Sequence, residues 1–188
     1  MDIGITRDEA LTLVRHYIKN HNMIKHSLAT EAVMRMLAED LGENTDQWAM
    51  AGLLHDLDVE LVNADLSVHG LETEKILRET GVHPSIIEAI KLHNEKAYGQ
   101  KRSKIFHHAL AAGETMTGLI IATTLVYPDK KIKSVNPKSI VKRMKEKSFA
   151  AGVDRHIVME CEKIGYDIHQ FAALCLRAMQ FIDTELGL

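Results

Sequence analysis

A His-Asp doublet at positions 55 and 56 is the strongest chemical signal in the sequence. The apolar run over residues 49–54 precedes it, so a hydrophobic helix delivers an imidazole and a carboxylate where burial is costly. A bound metal ion would offset that cost. Further ligands are expected at His26, at the start of a helix, and at Glu114, a lone acid in an otherwise uncharged stretch.

Several helices must bring these residues together. Adjacent residues on a helix point about 100° apart, so His55 and Asp56 can share an ion only if other helices supply the remaining ligands. Start and stop signals recur along the chain: Thr6 opens a capping box, Gly42 ends a second helix, and Pro128 ends a long apolar one. Further helices are expected over 45–56, 67–81, 83–93, from 136, over 154–165 and from 167, with a loop over 94–102.

The predicted fold class is all-α, a single bundle of about eight or nine helices. Nothing alternates with a period of two over a useful length, and aromatic residues are only 5% of the chain, which favours helices over strands. Residues 1–127 are expected to form the metal-binding core, with residues 128–188 as C-terminal helices packed on the same domain. A length of 188 residues with 46% hydrophobic content excludes a disordered chain.

Charge and cysteine content narrow the choice of partners and compartment. Residues 130–147 hold eight basic residues and one acidic residue, although the whole chain has a formal net charge of −3. A solvated lysine face is the favoured interpretation and an anion-binding surface the alternative, while a general nucleic-acid binder is not predicted. Cys161 and Cys175 show no pairing pattern, and we predict neither a secretory signal nor a membrane span, so a cytoplasmic protein is expected.

The candidate ligands resemble the HD superfamily of metal-dependent phosphohydrolases, whose pattern is a His, a His-Asp doublet and a distant Asp. His26, His55 and Asp56 match the first three positions, and Glu114 matches the last, within roughly residues 20–125. Glu in place of Asp is a departure, because it reaches one methylene further. A second departure is Asp58-Val59, where the cyclic dinucleotide phosphodiesterases tend to carry Gly-Lys, so that activity is disfavoured.

The resemblance also implies a second metal position. His69 and His93 match the additional ligands of the dinuclear members, and Asp56 would then bridge two ions. A mononuclear site is the alternative, in which His69 and His93 only begin and end helices. Imidazole and carboxylate ligands without thiolates suit one or two divalent transition metal ions, chosen from Mn, Fe, Zn, Co or Ni.

The resemblance implies hydrolysis of a small phosphorylated or nucleotide substrate by metal-activated water. Asp56 is expected to act at the catalytic centre, and Asp58 is a candidate acid or base, although a turn-capping role is the alternative. Basic residues that could contact the phosphate are Lys96, Lys142, Arg143, Lys145 and Lys147. The segment 147–153 is similar to the tail of some uncharacterised bacterial HD-domain proteins and names no substrate.

Two other functions stay open from the sequence. Some proteins of this fold use a di-iron pair to activate oxygen and cleave a C–C or C–P bond, with nearly the same ligands. A catalytically silent module that binds a ligand is the third alternative, and Glu114 in place of Asp is its best support. The Met and Leu content permits a homodimer.

Overall fold

Helices are the main elements of the computed structural model, which describes residues 2–188. The α-helices are α1 (Arg7–Tyr17), α2 (His21–Leu41), α3 (Thr45–Leu54), α4 (Leu71–Glu79), α5 (Pro84–His93), α6 (Glu95–Tyr98), α7 (Ile105–Leu125), α8 (Pro137–Met144), α9 (Arg155–Val158), α10 (Ile168–Gln180) and α11 (Asp183–Leu186). Two 3₁₀ helices occupy Ile132–Ser134 and Met159–Ile164. No strand occurs within residues 2–188, so the all-α prediction is confirmed.

Side-chain caps explain where most of these helices begin. Thr6 forms the predicted capping box with Glu9, and Asp167 forms another at the start of α10. Asn44 caps α3, because its side chain accepts a hydrogen bond from the Gln47 N–H. At the other end of α2, Gly42 adopts the left-handed conformation that a helix stop requires.

Helix α2 lies at the centre of the bundle and packs against α3, α7 and α10. Gly52 allows the closest approach, because a Cβ atom at this position would lie 2.6 Å from the carbonyl oxygen of Thr30 on α2. Gly113 on α7 similarly faces Val33 on α2. The small residues therefore let three helices meet closely, next to the positions that carry His26, His55 and Glu114 in the chain.

The C-terminal helices share the core of the preceding ones. Phe171, Cys175 and Met179 on α10 are fully buried, and α10 packs against α2, α7 and α8. The 3₁₀ helix Met159–Ile164 packs against α7. Cys161 and Cys175 are both buried and unbonded to each other. Buried residues before and after position 128 thus belong to one hydrophobic cluster.

Two single-turn helices, α6 and α11, account for the difference from the predicted count of nine, while α9 lies within the predicted helix over 154–165. Eight of the eleven α-helices have eight or more residues, while α6, α9 and α11 have four each. Helix α6 lies inside the predicted 94–102 loop, where Asn94 caps it and Gly99 ends it. Helix α4 begins at Leu71 rather than Ser67, because Gly70 takes a left-handed backbone conformation and residues 66–70 form turns. Within residues 2–188, none of the helices combines the length and apolar character that crossing a membrane requires.

Candidate metal centre

Five chain segments bring the predicted ligands to one place. His26 lies on α2, His55 and Asp56 directly follow α3, His69 lies in the turns before α4, and His93 is the last residue of α5. Glu114 on α7 completes the set. The ligand atoms form two groups of three: His26, His55 and Glu114 in one, and Asp56, His69 and His93 in the other.

Asp56 connects the two groups. Its Oδ2 atom lies 3.5 Å from His26 Nε2 and 3.3 Å from His55 Nε2. Its Oδ1 atom lies 3.1 Å from His69 Nε2 and 3.7 Å from His93 Nε2. One carboxylate therefore presents one oxygen to each group, which is the arrangement that a bridging ligand needs.

The four imidazoles are oriented by partners on their outer nitrogens. His55 Nδ1 donates to the Gly52 carbonyl and His93 Nδ1 to the Ile90 carbonyl, each within its own helical turn. His69 Nδ1 lies 2.8 Å from Asp58 Oδ1. These bonds place the proton on Nδ1 and direct Nε2 to the centre.

Thr117 provides the fourth such partner, for His26. Its hydroxyl donates to the Glu114 carbonyl at 2.7 Å, so its oxygen is free to accept from His26 Nδ1 at 2.9 Å. Thr117 is fully buried on α7. The hydrogen bond therefore ties the orientation of a ligand on α2 to the helix that carries Glu114.

The facing nitrogens fit a cation. His26 Nε2 and His55 Nε2 are 3.1 Å apart, and His69 Nε2 and His93 Nε2 are 3.0 Å apart. Two nitrogens bound at about 2.0–2.1 Å to one Zn²⁺-sized ion, at roughly a right angle, are separated by about 3 Å. Four neutral imidazoles and two carboxylates, without thiolates, are donors that divalent transition metals accept.

In each pair of facing imidazoles, the pKa of one is lowered and the pKa of the other is raised. Burial lowers the pKa of His26 to about 4 and the pKa of His93 to about 3. Burial also opposes charge on His69, but hydrogen bonds to Asp56 and Asp58 outweigh it and raise its pKa to about 10. The pKa of His55 is also raised, because Asp56 outweighs burial. Without a metal, each pair of facing nitrogens would hold one proton where a cation fits.

Glu114 occupies the position at which the superfamily pattern has Asp. Its Oε2 atom is 3.8 Å from His26 Nε2, and its Oε1 accepts a hydrogen bond from Thr115 Oγ1 at 2.6 Å. Burial raises the pKa of Glu114 to about 7. The longer side chain thus still brings a carboxylate oxygen to the first group of ligands.

Asp58 lies behind His69 rather than at the cavity. Besides His69 Nδ1, its carboxylate accepts the backbone N–H groups of Gly70, Glu72 and Thr73, and its side chain is fully buried. Burial opposes ionisation, but these donors lower its pKa. A carboxylate with these four donors orients a ligand and anchors the start of α4, which corresponds to the turn-capping alternative for Asp58 rather than to the acid or base role.

The two ligand groups face a cavity of about 570 Å³. Lys96 lines it, as predicted, together with Lys101 and Arg102. The other four predicted phosphate contacts, Lys142, Arg143, Lys145 and Lys147, do not line it. Among these, Arg143 pairs with Glu146 and stacks on Phe149.

Arg102 is a site residue that sequence reasoning missed. Its buried guanidinium donates to the carbonyls of Leu92 and His93 and forms two hydrogen bonds with Glu160. Glu160 also binds His108 Nδ1 at 2.6 Å. Arg102 therefore fixes the end of α5, from which His93 points to the centre. No local sequence signal marks this contact, because Glu160 is 58 positions away.

Comparisons with known proteins agree with this geometry. Ribonuclease Y of Geobacter sulfurreducens is 29% identical over 99 residues, covering 53% of this chain and 18% of that protein. Ribonuclease Y of Rubrobacter xylanophilus is 24% identical over 166 residues, covering 88% of this chain and 32% of that protein. The chain thus spans at most about a third of the length of these curated relatives. No solved structure matches it significantly.

The family comparison covers the metal centre itself. The HD domain family matches residues 23–127, more than half of the chain. This range contains all six predicted ligands, from His26 to Glu114, and both ligand groups. The C-terminal helices lie outside it. The chain therefore belongs to the HD domain family.

Proposed function

We propose that the protein is a metal-dependent phosphohydrolase that acts on a small phosphorylated or nucleotide substrate. The observation that carries this proposal is the convergence of four Nε2 atoms around both oxygens of Asp56, at the wall of an open cavity. Membership of the HD domain family and the ribonuclease relatives support a hydrolase. Divalent cations held there would lower the pKa of water and neutralise phosphate charge.

The residues around the cations have distinct tasks in this proposal. His26, His55 and Glu114 would hold one cation, His69 and His93 would hold a second, and Asp56 is placed to contribute one oxygen to each. Thr117 and Asp58 keep the outer nitrogens of two ligands protonated. Four neutral imidazoles and two carboxylates around two divalent ions leave about two positive charges, which complements a phosphate dianion.

Lys96 is the basic residue best placed to contact the phosphate. Lys101 pairs with Glu95 at 2.7 Å and Arg102 with Glu160 at 2.8 Å, so both are already neutralised. Lys96 has no carboxylate within 4.0 Å among residues 2–188, although it lines the same cavity. An unpaired ammonium at the cavity can bind a phosphate oxygen without first breaking an ion pair.

A phosphodiester in RNA is the second candidate substrate. The specific observation in its favour is that the curated relatives are named ribonuclease Y. Phosphodiester and phosphomonoester hydrolysis would use the same metal centre. They differ in the charge of the phosphate and in the groups that must fit beside it.

The proposal is tested on protein purified without chelators and analysed for metal. Phosphate release from monoesters and cleavage of a short RNA are then measured with added Mn²⁺ under anaerobic and aerobic conditions. We expect one or two equivalents of metal, oxygen-independent hydrolysis, and loss of both in His55→Ala. Turnover that requires oxygen, with a mixed-valent iron signal, would favour the di-iron oxygenase. Bound ligand without any turnover would favour the silent module.

A further inference from the structure

The cavity is lined by aliphatic as well as polar side chains. Besides the metal ligands and Lys96, the aliphatic side chains of Val59, Leu66, Val153 and Ile157 line it, and Gly118 and Gly152 add no side chains. Leu66 is 48% exposed, so its side chain is open to contact with a ligand. We use "aliphatic wall" for Val59, Leu66, Val153 and Ile157.

Half of the aliphatic wall comes from a segment outside the HD domain match. Val153 and Ile157 follow the 145–152 turns, beyond residue 127. The Arg155 guanidinium donates to the carbonyls of Ala150 and Val153 at 2.7 and 2.6 Å, and also to those of Glu146 and Phe149. One partly buried cation thus holds four carbonyls of the segment, so Val153 has a defined position before a ligand arrives.

The same segment also touches the helix that carries Glu114. A Cβ atom at Gly118, one helical turn after Glu114, would lie 3.6 Å from Val153 Cγ2. This is an ordinary van der Waals distance, so the wall contacts α7 close to the metal centre. Glu114 and Val153 line the same cavity, so a ligand bound at the metal centre can extend its carbon atoms toward Val153.

The composition of the cavity does not suit a nucleobase. No Phe, Tyr or Trp of residues 2–188 lines it, and recognition of unpaired bases generally relies on stacking against aromatic rings. An RNA strand also needs several basic contacts along its backbone, whereas Lys96 alone is unpaired here. An aliphatic surface gains instead from burying methylene groups.

We infer that the substrate is a phosphomonoester with an aliphatic carbon chain, and that residues 153–157 determine this specificity. The inference rests on the proposed function, because it assumes that the phosphate lies at the metal centre. It goes further by assigning the leaving alcohol to the aliphatic wall. Water replaces the alcohol at phosphorus, giving inorganic phosphate and the free alcohol.

The first experiment measures kcat/KM of the Mn²⁺-loaded protein for methyl, butyl and hexyl phosphate. AMP and a six-nucleotide RNA are measured separately as the alternative substrates. Each buried methylene is expected to raise kcat/KM about threefold to fourfold until the wall is covered. AMP and the RNA are expected to react more slowly than hexyl phosphate. A flat alkyl series with faster cleavage of AMP or RNA would overturn the inference and leave the proposed function standing.

A pair of matched variants locates the effect. Val153→Ser removes methyl groups from the wall and is expected to lower kcat/KM for hexyl phosphate about threefold to tenfold more than for methyl phosphate. Val126→Ser changes an equally small aliphatic residue that is 54% exposed and does not line the cavity, so it should leave both values unchanged. Equal effects of Val153→Ser on both esters would contradict the assignment of the wall.

Binding separates failure of this inference from failure of the proposed function. Calorimetry with methylphosphonate and hexylphosphonate measures how much the aliphatic wall contributes to binding, without any turnover. If no phosphoester is hydrolysed, the proposed function fails, yet tighter binding of hexylphosphonate, by about tenfold or more, would still support an aliphatic site. Equal affinities for the two phosphonates would overturn it whatever the catalytic result.

Discussion

Substitution of Gly52 by Ala tests whether close helix packing builds the metal centre. The new Cβ atom would lie 2.6 Å from the Thr30 carbonyl oxygen and 2.9 Å from the Glu31 nitrogen, both backbone atoms. Ordinary contact begins near 3.4 Å, so α3 must move about 0.8 Å away from α2. Because His55 directly follows α3, this movement would separate it from His26.

The expected magnitude is a balance of two effects. Overpacking of a tight interface costs about 1–3 kcal/mol, while Ala in place of Gly within a helix contributes up to about 1 kcal/mol. We therefore expect Gly52→Ala to lower the free energy of unfolding by about 1–2 kcal/mol. For a chain of this length, this corresponds to a decrease in Tm of roughly 2–8 °C. Metal affinity should fall as well, since the His26 and His55 nitrogens no longer meet.

The control is Gly118→Ala, which places the same methyl group in a helix. Its nearest neighbour would be Val153 Cγ2 at 3.6 Å, so the methyl fits and should keep or raise Tm. Thermal unfolding with and without Mn²⁺, together with the metal stoichiometry, reports both effects. If Gly52→Ala proved as stable as Gly118→Ala and bound metal equally well, the packing argument would be refuted.

Four further predictions concern single side chains and the bound metal. Asp58→Asn should weaken metal binding about 10- to 100-fold, because His69 loses its charged partner; calorimetry with Mn²⁺ measures this, and unchanged affinity would contradict the role. Thr117→Val should weaken it by about tenfold by freeing the His26 ring, with helical content by circular dichroism unchanged. Removing metal with EDTA should lower Tm, and Mn²⁺ at about 100 times its Kd should restore about 2.7 kcal/mol. Burial opposes ionisation of Glu160, but its partners Arg102 and His108 outweigh burial and lower its pKa. Its contribution to stability is therefore present above the ordinary pKa of Glu and disappears as pH falls through the lowered pKa. In Glu160→Gln, the free energy of unfolding should depend less on pH in this acidic range.

Local signals in the sequence predict much of the fold. Thr6 and Asp167 cap helices where the pattern places them, since capping depends only on neighbouring backbone groups. The turns over 55–70 were predicted less well, because left-handed Asn63 and Ala64 carry no strong sequence signal. Short helices such as α6 are marginal on their own, so tertiary contacts decide whether they form.

The candidate site shows the same division. His26, His55, Asp56 and Glu114 could be proposed because a His-Asp doublet after an apolar run is costly without a cation, whereas His69 and His93 followed only from the resemblance to the HD superfamily. A turn-capping role for Asp58 could be proposed, but its partners Gly70 and Thr73 could not, because they reach it only through the fold. A cluster of basic residues in the sequence does not show which surface the side chains face. Lys142, Arg143, Lys145 and Lys147 do not line the cavity, whereas Lys96 does.

The order of the ligands along the chain has a consequence for folding. The first and last ligands, His26 and Glu114, are about ninety residues apart, and the others lie between them on separate elements. Cations bound by the two ligand groups would connect these distant elements and act as removable cross-links of the folded chain. The helices after residue 127 lie beyond these elements, so a chelator should loosen the N-terminal part of the bundle first.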